Sequence, residues 1–321
     1  MRCIVFGTGT GVDEAWPKIQ AAGLEVAAFV DNNPAKQGGE YRGLPVLAPQ
    51  DLAAASFDRL VLASMYWHQM LRQAVECGVP VDRITVISSD WLSGEPFSCE
   101  AVCRPELAGL DIAENLQFFD VYHLAELARS MARPGARILE IGSWKGMSSA
   151  ILAREAAAAG ARVYCVDTFQ GSETTWQDTG EVRDTLFGIF RTNMQKLGYY
   201  QRVVFPLVMG SLDASLLVAD ASLDMIFIDA DHRYLPFLHD LRAWLPKVRP
   251  GGIICGHDCD AWYSRLSDEN KACVEANLEQ DFVRCADGTY LHPGIPKALY
   301  EVFGDRHTRL LYSSLWSMRL P

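Results

Sequence analysis

The chain has 321 residues, of which 49% are hydrophobic and 21% charged, proportions typical of a globular protein with a full apolar core. Its net charge is −11, because 29 Lys and Arg stand against 40 Asp and Glu. Nucleic acids and anionic membranes are bound through basic surfaces, so we expect neither as the main partner. The length is sufficient for two domains, and no apolar run approaches the ~20 residues that cross a bilayer.

The nine cysteines are scattered and include no Cys-x-x-Cys pair. The pairs Cys99/Cys103 and Cys255/Cys259 have close spacing, but neither is matched by a second pair at zinc-finger distance. The first residues already have the pattern of a strand rather than that of a secretory leader. An odd number of cysteines without a leader fits reduced thiols, so we expect a cytoplasmic protein.

An alternation of strand and helix patterns predicts a small Rossmann-like α/β domain over residues 1–92. Gly7, Gly9 and Asp31 are similar to a dinucleotide-binding fingerprint, although its third glycine is displaced by one residue. The segment FVDNNPAKQGGEYRGLPVL (29–47) resembles the short Rossmann-like domains of nucleotide-sugar-modifying enzymes and of some sugar methyltransferases. Two interpretations stay open for this domain: a nucleotide site, or a docking or dimerisation module.

A stretch with Gly and Pro but without periodicity predicts a linker at residues 93–110. A second domain is predicted over residues 111–321. Asp111 is expected to cap its first helix, which runs to about Ala132 and is ended by Pro134-Gly135.

The stretch Arg137–Ala150, which reads RILEIGSWKGMSSA, predicts a strand, a glycine turn and the start of a helix. Such a turn exposes backbone N–H groups at a helix N-terminus, where a polar ligand can bind. Glu140 argues against a phosphate, because a carboxylate at the end of the strand would repel it. This acid favours a ligand that carries an amino group or a positive charge.

Two further strand patterns follow, and each leads into acidic residues. Arg162–Val166 ends at Asp167. Leu223–Ile228 is a continuous apolar run, as expected for a strand buried on both faces, and it leads into the sequence Asp229-Ala230-Asp231-His232. The aromatic-containing segment 171–200 between the two strands is predicted to form a lid above the strand ends.

Several motifs in this half of the chain resemble one family. The pattern E-x-G-x-x-x-G at 140–146 is similar to the first motif of the class I S-adenosylmethionine (SAM) methyltransferases. The later series IDADH-x-Y, D-L-x-x-W-L, PGG-I-I-x-G-HD and HPGI resembles a small-molecule branch, akin to the macrolide- and aminocoumarin-sugar O-methyltransferases. The resemblance covers residues 111–321. It implies an α/β fold in which a class I methyltransferase Rossmann-like sheet follows the smaller Rossmann-like domain, with SAM as cofactor.

The resemblance also implies where SAM would bind. Glu140 would act by charge and turn geometry near the amino acid part of SAM, and Asp167 would accept hydrogen bonds from both ribose hydroxyls. The predicted cofactor-binding residues are Glu140, Gly142, Ser143, Gly146, Ser148, Asp167, Thr168, Ser211 and Asp229.

Methyl transfer to a hydroxyl requires that the O–H proton be removed or that the O–H bond be weakened. A divalent cation helps, because it can lower the pKa of the hydroxyl. Asp229 and Asp258 follow successive predicted strands, so both carboxylates can converge on one ion, for which oxygen ligands favour Mg²⁺. Related enzymes have an Asp or Asn directly after the second aspartate, whereas this chain has Cys259, a poor Mg²⁺ ligand. Without a metal, His232 or His257 would have to take the proton. The predicted catalytic residues are therefore Asp229, His232 and His257, and the predicted metal ligands are Asp229 and Asp258.

The leading hypothesis is SAM-dependent O-methylation of a small molecule, a sugar or a glycosylated compound of natural product biosynthesis. The expected partners are this acceptor and further copies of the chain in a homo-oligomer. The alternatives are a metal-independent methyltransferase with a histidine base and an NAD(P)-linked oxidoreductase that uses the Gly7–Gly11 turn. A hydroxylase with the same fold and a non-catalytic scaffold also stay open.

Overall fold

The computed structural model describes residues 1–64, 67–80, 83–86, 110–112, 116, 118–171, 185–310 and 313–321. It divides into two compact units, Met1–Arg104 and Pro105–Pro321. The predicted linker at 93–110 lies outside the described residues except for Leu110, and so does the polar half of the predicted lid, residues 172–184. The bounds of the two domains and of the linker therefore stay a prediction.

The N-terminal unit has a six-stranded sheet, whose strands in chain order are Arg2–Phe6 (β1), Glu25–Val30 (β2), Glu40–Tyr41 (β3), Leu44–Leu47 (β4), Arg59–Leu62 (β5) and Ile84–Val86 (β6). Their spatial order is β3-β4-β2-β1-β5-β6, and all neighbours are parallel except β3 and β4. Helices Thr10–Ala21 (α1) and Trp67–Glu76 (α2) connect parallel strands. This is the α/β alternation that the sequence predicts.

The C-terminal unit has a seven-stranded sheet, whose strands in chain order are Arg137–Ile141 (β7), Arg162–Asp167 (β8), Val204–Val208 (β9), Leu223–Ile228 (β10), Val248–Gly256 (β11), Thr308–Arg309 (β14) and Trp316–Arg319 (β15). The spatial order is β14-β15-β11-β10-β7-β8-β9. The strands β7 to β11 pair in parallel, while β15 is antiparallel to both β11 and β14. The predicted fold class, a class I methyltransferase Rossmann-like sheet after a smaller α/β domain, is confirmed.

The core of this unit lies on both faces of the sheet. All six residues of β10 are buried, as the continuous apolar run predicts. Within the described ranges, the α-helices of the unit in chain order are Phe118–Met131 (α3), Met147–Ala159 (α4), Leu186–Lys196 (α5), Ser211–Leu216 (α6), Tyr234–Trp244 (α7), Asp268–Ala276 (α8) and Gly294–Phe303 (α9). Trp244 and Trp316, both fully buried, belong to one apolar cluster of the core.

The predicted helix that Asp111 would cap begins later than expected. Residues 110–112 are not helical, and α3 begins at Phe118. The Asp111 carboxylate lies 3.1 Å from Nζ of Lys145, and its backbone N–H donates to Oδ1 of Asn193 at 3.2 Å. Asp111 therefore ties the chain to the glycine turn and to α5, and the prediction that it caps α3 is wrong.

A small excursion from the sheet follows β11. It contains α8 and a two-stranded antiparallel ribbon, Val283–Arg284 (β12) and Tyr290–Leu291 (β13), and it has its own small apolar cluster around Val274. Cys273 and Cys285 form a disulfide within it, with their Cα atoms 6.0 Å apart. The prediction of reduced thiols is wrong for this pair, because the fold rather than the sequence spacing brings the two cysteines together.

None of the helices in the described ranges has the length and apolar character that crossing a membrane requires.

Candidate functional site

The carboxyl ends of β7, β8 and β10 surround a cleft of about 760 Å³. The strand order reverses between β7 and β10, and clefts of open α/β sheets form at such switch points. Within the described ranges the cleft is lined by these strand ends and by a segment before β12: Ile141, Gly142, Trp144, Val166, Asp167, Thr168, Gln170, Gly171, Met209, Ser211, Asp229, Ala230, Asp231, His232, Arg233, Asp240, Glu279, Gln280 and Asp281.

The glycine turn after β7 is packed directly against the end of β10. Gly142 has a positive φ of 85°, and a β-carbon built on it would lie 1.9 Å from the backbone oxygen of Asp229. The backbone N–H of Asp229 donates to the carbonyl of Ile141 at 2.8 Å. Only glycine allows this approach, since any side chain at position 142 would displace the chain at Asp229.

Glu140 lies beneath the turn rather than in the cleft. It is fully buried, and its Oε2 accepts hydrogen bonds from the hydroxyls of Ser143 and Ser149, the former at 2.6 Å. Burial raises the pKa of Glu140, which the serine hydroxyls partly oppose. Glu140 thus shapes the turn, and the predicted contact of Glu140, Ser143 and Ser148 with SAM stays a prediction.

Asp167 organises the same turn from the neighbouring strand. Its Oδ2 accepts the backbone N–H groups of Ser143 and Trp144, each at 2.8 Å, and its Oδ1 accepts that of Phe169 at 2.6 Å. A carboxylate oxygen has two acceptor positions, so Oδ1 keeps capacity for one further donor. Asp167 lines the cleft and so combines a structural role with the capacity for the predicted ribose contact.

The other predicted contacts of the cofactor lie nearby. Thr168 and Ser211 both line the cleft, whereas Gly146, the N-cap of α4, is not among its described lining residues. The indole Nε1 of Trp244 donates to Oγ of Ser211 at 2.7 Å, and Ser211 also bonds to Asp240. Burial raises the pKa of Asp240 from 3.8 to about 6.

The predicted catalytic and metal-binding residues lie together at the ends of β10 and β11. Nε2 of His232 is 3.0 Å from Oδ2 of Asp258 and 3.8 Å from Oδ1 of Asp229. Nδ1 of His257 is 3.0 Å from Oδ1 of Asp258 and 3.9 Å from Oδ1 of Asp229. Asp258 has a positive φ of 60°, a conformation that residues with a β-carbon seldom adopt. Of these four residues, Asp229 and His232 line the cleft.

Two aspartates that the sequence analysis missed complete this cluster. Asp281 Oδ1 lies 2.6 Å from Nδ1 of His232, and the buried Asp120 Oδ2 lies 3.2 Å from Nε2 of His257. The order Asp281–His232–Asp258–His257–Asp120 thus alternates carboxylates with imidazoles. Asp120 comes from α3 and Asp281 from the excursion, so no local motif could have indicated either.

Electrostatic interactions in the cluster favour the charged forms. Burial alone would lower the pKa of His232, but Asp229, Asp281 and Asp258 raise it well above its usual value. Burial would also lower the pKa of His257, but Asp258 and Asp120 raise it well above its usual value. Burial would raise the pKa of Asp258, but the adjacent His257 and His232 hold it below its usual range.

The two residues after Asp258, Cys259 and Asp260, contact other groups than the Asp229–Asp258 pair. Cys259 is fully buried, its thiol donates to the carbonyl of Ala261 at 3.5 Å, and burial raises its pKa to about 12. Asp260 Oδ2 accepts the backbone N–H of His292 at 2.8 Å and lies 3.0 Å from Nδ1 of that histidine. Neither residue therefore adds a ligand to the Asp229–Asp258 pair.

In the candidate nucleotide site of the N-terminal unit, the predicted ribose ligand Asp31 already contacts Thr8 and Lys36. Asp31 Oδ2 accepts the hydroxyl of Thr8, and Nζ of Lys36 lies 3.2 Å from the same oxygen. Lys36 also donates to the Thr8 hydroxyl at 3.0 Å. The carboxylate that would hold a ribose is thus paired with a lysine, and nucleotide binding stays a prediction.

Residues 139–259 match the family Methyltransf_24, described as a methyltransferase domain, which confirms the resemblance of the C-terminal unit to methyltransferases. The unit also has the sheet order and the cleft at the strand ends that this resemblance implies. Residues 1–85 match the family described as C2185-like, N-terminal.

A curated relative and several solved structures are also similar to this chain. An uncharacterized protein, y4gI of Sinorhizobium fredii, is 26% identical over 126 residues, which are 39% of this chain and 13% of that protein. The O-methyltransferase TomG of Streptomyces achromogenes, solved with SAM, is 17% identical over 62% of this chain and 78% of its own, with a TM-score of 0.40. An O-methyltransferase of Bacillus cereus, solved with S-adenosylhomocysteine (SAH), is 20% identical over 66% and 84%, with a TM-score of 0.39.

Proposed function

We propose that the chain transfers the methyl group of SAM to a hydroxyl of a small molecule, a sugar or a glycosylated natural product. The observation that carries the proposal is the position of His232 and Asp229 in the same cleft as Asp167 and the glycine turn. The proposed proton acceptor and the proposed cofactor site would thus share one cavity, as methyl transfer requires.

The residues around the turn fit SAM. Gly142 lines the cleft beside Asp167, which keeps an acceptor position on Oδ1 that suits a ribose hydroxyl. When bound, SAM would supply an electrophilic methyl group for in-line displacement by an acceptor oxygen. Thr168 and Ser211 would border the adenosine from their positions on the cleft wall.

His232 is the residue best placed to receive the hydroxyl proton. Its Nδ1 is bonded to Asp281, so Nε2 is the nitrogen that faces the strand ends and the acceptor side. Asp229 and Asp258 stabilise the protonated ring once the proton has moved to Nε2. A raised pKa makes Nε2 a strong acceptor, but it leaves a small unprotonated fraction at neutral pH. His257 lies behind this pair, with its Nε2 3.2 Å from Oδ2 of the buried Asp120.

The donor set also fits a divalent cation. Oxygen atoms of Asp229 and Asp258 lie within 4.8 Å of each other, close enough to share an ion. These two residues would hold the cation, and its chemistry would be to lower the pKa of the acceptor hydroxyl. The missing third carboxylate, replaced by the buried Cys259, favours a site of lower affinity than one with three acidic ligands.

Two sequence resemblances support the proposed class of acceptor. The motif series between Asp229 and Ile295 resembles enzymes that methylate sugars of natural products. The N-terminal segment 29–47 resembles domains of nucleotide-sugar enzymes. Both resemblances favour the same class of acceptor, a sugar or a glycosylated compound.

Calorimetric titration with SAH tests the cofactor half of the proposal. The unmodified chain should bind SAH, and Asp167→Ala should weaken binding at least ten-fold, about 1.4 kcal/mol, because the turn loses its anchor and the ribose loses its acceptor. Asp220→Ala is the matched control, since this aspartate is exposed and pairs with Lys247. Absence of SAH binding, or equal binding by the Asp167 variant, would contradict the assignment. Transfer of labelled methyl groups to a panel of glycosides then tests the acceptor half.

A further inference from the structure

Asp281 makes the closest contact with His232 on the side away from the strand ends. Its Oδ1 is 2.6 Å from Nδ1 of the ring, while Nε2 is 3.0 Å from Asp258. A carboxylate faces each ring nitrogen, and Asp281 on Nδ1 is the closer of the two, so the neutral ring keeps its proton on Nδ1 and its lone pair on Nε2. This bond therefore selects the tautomer in which Nε2 can accept a proton.

The segment that carries Asp281 is anchored at several points. It lies between Cys273 and Cys285, which the disulfide joins, so the two ends of the loop cannot separate. The backbone N–H of Tyr234, two residues after His232, donates to the carbonyl of Leu278 at 3.0 Å. Leu278 also packs on the small apolar cluster that contains Val274 and Cys285.

The backbone of His232 is constrained as well. A β-carbon on Gly294 would lie 2.3 Å from the backbone oxygen of His232. The start of α9 therefore presses on the backbone of His232, while Asp281 holds its ring. Backbone and side chain of this histidine are fixed from two elements that lie outside the central sheet.

We propose that Asp281 is a positioning residue for His232 and that the disulfide-closed loop 273–285 delivers it. The proposal deepens the proposed function, on which its kinetic consequence rests. The positioning role is the same whether Nε2 accepts a proton or faces a cation, because a carboxylate on Nδ1 orients the imidazole in either case. Asp281 acts through the ring of His232.

The first experiment compares Asp281→Asn and Asp281→Glu with Asp268→Asn, an exposed aspartate on the same excursion. We expect Asp281→Asn to lower kcat about 10- to 100-fold with little change in the acceptor KM or in SAH binding. Asp281→Glu should restore part of the loss, and Asp268→Asn should resemble the unmodified chain. A change in acceptor KM alone would overturn the proposal, because it would mean that Asp281 binds the acceptor.

A spectroscopic readout is independent of methyl transfer. Long-range ¹H–¹⁵N correlation spectra report the tautomer of each histidine, and His232→Gln assigns the signal of His232. At a pH at which the ring of His232 is neutral, we expect a single Nδ1–H tautomer in the unmodified chain and a mixture in Asp281→Asn. If the tautomer does not change, the proposal is wrong even in an active enzyme. If the chain transfers no methyl group at all, the proposed function fails while this result still tests the positioning role.

The double variant Cys273→Ser/Cys285→Ser tests the part played by the loop. We expect kcat to fall and the His232 tautomers to mix, with SAH binding retained as proof that the main fold is intact. Full kcat and an unchanged tautomer in this variant would overturn delivery by the disulfide-closed loop.

Discussion

Gly142 and Asp229 are in backbone contact: a β-carbon at position 142 would come within 1.9 Å of the carbonyl oxygen of Asp229. One residue belongs to the predicted cofactor turn and the other to the acceptor side of the cleft. Their strands pair in parallel, and the N–H of Asp229 also bonds to Ile141. The glycine turn after β7 and the residues after β10, which we propose hold the methyl donor and the acceptor, are therefore held together by the backbone itself.

Replacing Gly142 with Ala should weaken both the packing against Asp229 and the binding of SAH. The methyl group would overlap the Asp229 carbonyl, and the φ of 85° is unfavourable for any residue with a β-carbon. We expect the free energy of unfolding to fall by about 1–3 kcal/mol and SAH binding to weaken. Urea denaturation and calorimetry measure the two effects. Gly188→Ala is the control, because this helical glycine has open space around it and alanine suits a helix. An alanine at position 142 that leaves SAH affinity unaltered would refute the contact.

Glu140 should matter for stability rather than for charge on the cofactor. It is the buried acceptor of the Ser143 and Ser149 hydroxyls, so Glu140→Ala leaves both without that partner. We expect a loss of about 1–3 kcal/mol in the free energy of unfolding. Glu140→Gln should lose less, since its carbonyl oxygen can still accept. Glu269→Ala, at an exposed position, serves as the control. Equal unfolding curves for the alanine and unmodified chains would contradict this role.

The strands around the cleft could be predicted because their signals are local. Continuous apolar runs indicate buried parallel strands, and each run around the cleft ends at a glycine or an acid, as at Gly142 and Asp167. Asp229, His232, His257 and Asp258 were predicted as neighbours for the same reason, since the carboxyl ends of parallel strands lie at one edge of a sheet.

The rest of the site depends on tertiary contacts that leave no local pattern. Asp120 reaches His257 from a helix far earlier in the chain, and Asp281 reaches His232 from a loop outside the sheet. Asp111 was expected to cap a helix, because an aspartate before an apolar pattern is a typical capping residue. Its ion pair with Lys145 is a long-range contact, which the capping pattern cannot indicate.

Asp240 should make the stability of the fold depend on pH. Burial raises its pKa from 3.8 to about 6, so the fold favours the protonated acid. This contribution to the free energy of unfolding is fully present below pH 3.8 and is lost as the pH rises through about 6. Asp240→Asn imitates the protonated acid and removes the dependence. Between pH 4 and pH 7 the unmodified chain should lose up to about 3 kcal/mol relative to this variant.

Urea denaturation of both proteins at several pH values measures this difference. Asp213→Asn, on the exposed side of α6, should follow the pH dependence of the unmodified chain. If the free energies of unfolding of the Asp240 variant and of the unmodified chain change with pH in parallel, the carboxyl group of Asp240 does not titrate in the expected range.

The role of His232 can be separated from that of a cation by chelation. With EDTA present, we expect methyl transfer to slow, because Asp229 and Asp258 lose any ion that they share. The remaining rate should increase with pH, since the raised pKa of His232 keeps its ring protonated at neutral pH and a higher pH frees Nε2. His232→Gln should abolish that remaining rate at every pH. His239→Gln, at an exposed position on α7, should preserve both the rate and its pH profile. A chelated enzyme whose rate does not depend on pH, or a His232 variant that keeps it, would assign the proton to another residue of the cluster.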